Sequence, residues 1–136
     1  STTDAIDRFN YDGPWIRVDG VKIADSRADL VDGDLESALN VNEYGKYLGN
    51  YRAWTGTTTS GLRTGADCGG WTSADSMVNG TQSIVNATDG SWTENYAVEC
   101  SNSGQRLYCF SQVATHIFVD DFESGGATAW AFSVGG

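Results

Sequence analysis

The chain has 136 residues and a formal net charge of −10, from 18 acidic against 8 basic side chains. That balance excludes a nucleic-acid reader, whose phosphate partner demands a basic face, and it disfavours anionic membranes. Hydrophobic residues make up 40% of the chain, enough for one domain with one core, and no apolar run approaches the roughly 20 residues of a membrane span.

The chain starts at Ser1 with neither an initiator Met nor a basic-then-apolar leader, which predicts removal of an upstream segment. Trp15–Val18 and Val21–Ala24, separated by Asp19-Gly20, predict a β-hairpin with a two-residue turn. Ala28–Leu39 is the best helix candidate, with Leu30, Leu35 and Leu39 apolar. Asp32-Gly33-Asp34 interrupts it, so a loop with one helical turn is the alternative. Tyr51–Thr57 has the Tyr, Trp and Thr content of a strand. From Thr55 to Ser91 the chain is mostly Gly, Ser, Thr, Asp and Asn without a sustained period. It predicts long ordered loops, in which Trp54, Trp71, Met77, Ile84, Val85 and Trp92 need burial. Trp92–Cys100 and Leu107–Gln112 follow as strands around a polar turn at Ser101–Gln105. His116–Val119 is a last apolar stretch, ahead of an acidic turn (Asp120, Asp121, Glu123).

The three cysteines, Cys68, Cys100 and Cys109, form no Cys-x-x-Cys pair, and His116 is the one histidine. Zinc, thioredoxin-like and triad chemistry therefore lack their parts. Gly65–Gly70 is glycine-rich but has no lysine and opens no helix, so it is a poor phosphate loop. No spacing among the 18 acids singles out a glycosidase pair.

Ala53-Trp54-Thr55-Gly56-Thr57 resembles the Trp-Ile-Gly-Leu strand of C-type-lectin-like domains. Ser91-Trp92-Thr93-Glu94-Asn95, Cys100 and Leu107-Tyr108-Cys109-Phe110 resemble their closing pattern. With Cys68-Gly-Gly-Trp-Thr-Ser73, Asp4–Arg8 and Asp19–Ala24, the chain over 1–112 is similar to a group of bacterial secreted domains of unassigned function. That group is related in fold to the endostatin and collagen-tail branch. The resemblance implies an α+β fold of mostly antiparallel strands with long ordered loops, lacking the usual N-terminal strand and helix. It divides the chain into a lectin-like domain (1–113) and a C-terminal tail (114–136). It also implies a Cys68–Cys100 disulfide, with Cys109 left to pair with a cysteine in the missing N-terminal piece. Such a bridge closes about thirty residues and contributes roughly 3–4 kcal/mol on the chain-entropy model. Reduced, buried cysteines are the alternative. Phe118–Trp130 resembles a terminal motif of bacterial exported proteins, with Asp121 in place of the usual Gly.

Sugar-binding lectins of this superfamily aim Glu-Pro-Asn or Gln-Pro-Asp at calcium, and the loop here has no proline. Asp67, Asp75, Asp89, Glu94 and Asn95 nevertheless offer oxygen ligands, and Asp67, Asp89, Glu94 and Asn95 are the candidate calcium set. Solvated loop acids are the plainer reading. Trp71, Asp75, Glu94, Asn95 and Tyr96 are the candidate ligand-binding residues, with Trp130 as a further exposed aromatic able to stack on a sugar or protein partner. The expected function is a secreted or cell-surface binding or adhesion module, not an enzyme, that takes a carbohydrate or protein ligand through the Thr57–Ser91 loops. The alternative is a structural subunit of an extracellular assembly that self-associates when His116–Val119 fills an open sheet edge of another copy.

Overall fold

A computed structural model describes residues 3–112 and 116–120; Asp121–Trp130, with the exported-protein motif and Trp130, lies outside the described residues. The hairpin forms where expected. Strands β1 (Trp15–Arg17) and β2 (Lys22–Ala24) run antiparallel around the Asp19-Gly20 turn. Gly20 there takes φ +89°, a conformation costly for any residue with a Cβ. Trp15 and Arg17 face inward and Ile16 is half-buried, the period-2 pattern of a strand with one covered face.

Helix α1 (Arg27–Leu30) is a single turn. Ser26 Oγ caps it by accepting from Asp29 N–H at 3.1 Å. Asp32 then turns the chain by accepting from Asp34 N–H at 3.0 Å, with Gly33 at φ +98°. The interruption at Asp32-Gly33-Asp34 thus outweighs the leucine spacing, yet Leu30, Leu35 and Leu39 are all buried.

The second half builds a three-stranded antiparallel sheet from β3 (Arg52–Trp54), β4 (Asn79–Ile84) and β5 (Tyr96–Glu99), in that order. The stretch expected as loops therefore holds the longest strand of the described residues, β4. Val85 and Trp92 find burial, but Trp71 is 46% and Met77 88% exposed. Trp92 itself sits in a 3-10 turn (Gly90–Trp92) and not in a strand, because Asp89 caps that turn by accepting from Ser91 N–H at 2.9 Å.

A four-stranded sheet, ordered β2-β1-β7-β6, completes the small α+β domain; β6 is Leu107–Cys109 and β7 is His116–Asp120. β7 lies between β1, to which it is parallel, and β6, to which it is antiparallel. The apolar stretch read as a tail is therefore hydrogen-bonded on both sides within its own chain. An Ala53–Arg106 bridge brings the start of β6 beside β3.

Trp15, Ile23, Leu30, Leu39 and Val85 form the dry centre. Beside them Phe9, Tyr11, Trp15, Trp92, Tyr108 and Phe110 pack with ring centroids 5.1 to 6.4 Å apart, mostly tilted or edge-on as ring quadrupoles prefer. Two polar devices tie loops to this core. Buried Arg17 forks onto Asp19 at 2.8 and 2.9 Å and donates to Ala38 O at 2.8 Å. Tyr108 donates its hydroxyl proton to Trp92 O at 2.8 Å and so takes one from Ser83 Oγ at 2.9 Å.

Burial pushes the Tyr108 phenol well above its ordinary range. The folded state thus favours the neutral form, and its contribution is present below about pH 10 and lost as pH rises above that value. Tyr108→Phe is expected to cost about 1–2 kcal/mol near neutral pH. Urea unfolding at neutral pH and above pH ~10 should show the variant losing less stability with alkali than the native chain.

Candidate functional site

The outer face of β3–β4–β5 begins at a backbone feature that glycine makes accessible. In the helical turn α2 (Cys68–Trp71) four successive residues have positive φ: Cys68 +52°, Gly69 +65°, Gly70 +72° and Trp71 +66°. The turn is left-handed. Glycine adopts this conformation freely, but Cys68 and Trp71 each resist it by roughly 1–2 kcal/mol. Several bonds hold it. Trp71 N–H donates to Asp67 O at 2.7 Å and Thr72 N–H to Cys68 O at 3.1 Å. Asp67 Oδ1 accepts from Gly70 N–H at 3.0 Å, while its other oxygen meets Arg63 at 3.1 Å. That backbone bond, with the Arg63 guanidinium, holds the Asp67 carboxyl below the usual carboxylate range.

The Cys68–Cys100 disulfide anchors this turn to the end of β5. It is the pairing that the resemblance implies, and Cys109 is buried outside it. The backbone at Gly80 passes so close that a Cβ there would stand 2.6 Å from Cys68 Sγ and 3.0 Å from the Trp54 ring. The left-handed turn aims Trp71 back over the sheet, where its ring lies 6.1 Å from that of half-buried Trp54 and covers Gly56.

Two clefts open on this face and share Gln105. One, of about 650 Å³, is lined by Trp54, Thr55, Cys68, Trp71, Ser73, Cys100, Gln105 and Leu107. The other, of about 390 Å³, runs past Asn50, Tyr51, Arg52, Gln82, Tyr96 and the 102–105 turn. The register explains their union. Trp54 pairs with Gln82, and Gln82 with Tyr96. Directly opposed residues of an antiparallel sheet share a face, so the three stand in one row. Gln105 Nε2 donates to Gln82 Oε1 at 3.1 Å, fixing both amides at the middle. Tyr51 is held by the Arg106 guanidinium, 4.3 Å above its ring.

Of the residues expected from sequence, Trp71 and Tyr96 line this groove. The others do not. Glu94 accepts from Thr59 N–H at 2.8 Å, pinning the Thr57–Gly61 loop. Asn95 is half-buried, Asp89 caps the 3-10 turn, and Asp75 accepts from Met77 N–H at 2.8 Å in an exposed turn. Asp67, Asp89 and Glu94 thus serve three separate local structures. The carboxylates that do gather within 4.8 Å of one another, among the described residues, are Asp25, Asp29 and Glu36. Lys22 already stands between them, 2.7 Å from Asp25 and 3.4 Å from Glu36.

Tyr51, Arg52, Gln82 and Gln105 are groove residues that sequence reasoning missed. Arg52 shares the face of Trp54 on β3, but only the β4 register brings Gln82, and with it Gln105, beside Trp54, and Asn79–Ile84 carries no alternation to announce a strand. A third, mainly apolar cavity of about 320 Å³ lies between the Ala5–Phe9 segment and the aromatic core. Among the described residues no helix is long and apolar enough to cross a membrane. No family model matches the chain, and no curated protein and no solved structure matches it either.

Removing the bridge with Cys68→Ala and Cys100→Ala together is expected to lower stability by roughly 3–4 kcal/mol. Gly80→Ala should cost about 1–3 kcal/mol through the overlap with Cys68 and Trp54. Trp71→Ala, at an exposed side chain, should change it by less than about 1 kcal/mol. Urea titration of the three variants checks this order.

Proposed function

We propose that this chain is an extracellular binding module of C-type-lectin-like architecture that takes a carbohydrate in the groove across β3–β4–β5. The observation that carries this reading is the half-exposed Trp71, held over the sheet beside Trp54 and followed along the groove by amides and two tyrosines. A sugar ring presents an apolar C–H face and a rim of hydroxyls. The aromatic faces suit the first, and the amide and hydroxyl groups of Asn50, Ser103 and Gln105 suit the second, because each can donate or accept. A protein partner would call for a larger apolar centre than this mixed lining offers.

Three further points support the reading. A disulfide persists in oxidising surroundings, which fits a secreted or surface-attached protein. The Cys68–Cys100 disulfide and the strand carrying Trp54 support the lectin-like part of the reading. The groove is lined by aromatic rings and amides, which supports recognition by stacking and direct hydrogen bonds. An assembling subunit is less well supported, since β7 already has partners on both sides.

A glycan array followed by titration calorimetry tests this. Trp71→Ala is expected to weaken the best oligosaccharide at least tenfold, about 1.4 kcal/mol, with an unchanged circular dichroism spectrum, and a calcium chelator should leave affinity unaltered. Full affinity in Trp71→Ala, or loss of binding on chelation, would contradict the proposal.

A further inference from the structure

We infer that the groove selects sugar chains bearing a carboxylate, with Arg52 as the residue that reads the charge; this rests on the carbohydrate reading above. The chain carries 18 acids against 8 bases, and four of those bases are neutralised in internal ion pairs. Arg17 pairs with Asp19, Lys22 with Asp25, Arg27 with Asp12 and Arg63 with Asp67. Arg52 departs from this pattern. Its guanidinium donates to Asn50 Oδ1 at 2.7 Å and, at 3.5 Å, to the carbonyl of Tyr51. Among the described residues it has no carboxylate partner.

Its surroundings are equally unusual for so acidic a chain. Neither cleft of the groove is lined by an Asp or Glu among the described residues. The sheet keeps it so: Tyr96 and Val98 of β5 turn toward the groove, so Ala97 and Glu99 point to the opposite face. A guanidinium on the wall of a groove without acids is open to a counter-charge carried by a ligand. Its planar fork matches a carboxylate in two-point contact, and the Asn50 carbonyl holds one arm in place.

Geometry sets where that charge falls. Arg52 and Trp54 are two residues apart on one strand, hence on the same face and about 6–7 Å from each other. A ring stacked at Trp54 and Trp71 therefore leaves a neighbouring ring of the same chain beside Gln82, Tyr96 and Arg52. The ligand class is an acidic oligosaccharide spanning both clefts. The acids elsewhere on the surface repel polyanions at longer range, but their field fades beyond roughly 8 Å at physiological salt.

The test uses an oligogalacturonate, which has one carboxylate per ring, and the same chain with its carboxylates methyl-esterified, titrated into the native protein. The acid is expected to bind at least tenfold more tightly than the ester at low salt, with the margin shrinking as salt is raised. Arg52→Gln should abolish the acid's margin, so that the variant binds acid and ester alike. Equal affinity for the two forms, a preference for the ester, or an acid preference that survives Arg52→Gln overturns the inference alone if either form or any neutral oligosaccharide binds in the groove. Absence of binding to every sugar, charged and neutral, removes the carbohydrate reading itself, and the inference falls with it.

Discussion

Four successive positive φ angles from Cys68 to Trp71 decide what the outer face of this molecule presents. A right-handed turn at the same place would carry Trp71 away from Trp54 and open the cleft between them. Cys68 and Trp71 oppose the left-handed form by roughly 1–2 kcal/mol each. The loop entropy removed by the Cys68–Cys100 bridge contributes roughly 3–4 kcal/mol, which is of the same size. Asp67 adds the local restraint by accepting from Gly70 N–H. Gly80 supplies the room, since nothing larger fits between Cys68 Sγ and the Trp54 ring.

From that constraint follows the division of labour between the two halves of the domain. The hairpin and α1 bury the aliphatic and aromatic centre around Trp15, and Arg17 and Tyr108 tie loops onto it. The β3–β4–β5 sheet places Ala53 and Ser83 on its covered side, both fully buried. Its other side carries Tyr96 and Arg52 around Gln82, which Gln105 covers. Trp71 stands apart from the core cluster, so it can be removed without dismantling that core.

Much of the first face was legible in the sequence, because short-range chemistry specifies it. Asp19-Gly20 between two apolar runs has few alternatives to a hairpin, and Leu30, Leu35 and Leu39 mark buried positions whether or not a helix joins them. The groove was far less legible. Asn79–Ile84 reads as loop because its Gln82 faces an amide partner and its Gly80 makes way for the disulfide, so the usual alternation of apolar residues is missing. Trp71 and Tyr96 were identifiable as aromatic side chains among polar residues. Arg52 follows from its two-residue spacing to Trp54 in the expected strand, whereas Gln82 and Gln105 depend on a strand register that no local pattern carries. The acids Asp67, Asp89 and Glu94 resembled a ligand set in composition only, and folding uses each as a cap or clamp in a different place.

Four of the five indole N–H resonances test the central claim most directly, because Trp15 and Trp92 sit in the core and Trp54 and Trp71 at the groove. In a ¹H–¹⁵N correlation spectrum, adding the best-binding oligosaccharide is predicted to shift the Trp54 and Trp71 signals and leave Trp15 and Trp92 in place. Shifts confined to Trp15 or Trp92, with Trp54 and Trp71 unmoved at saturation, would place the ligand elsewhere and contradict the assignment of the groove.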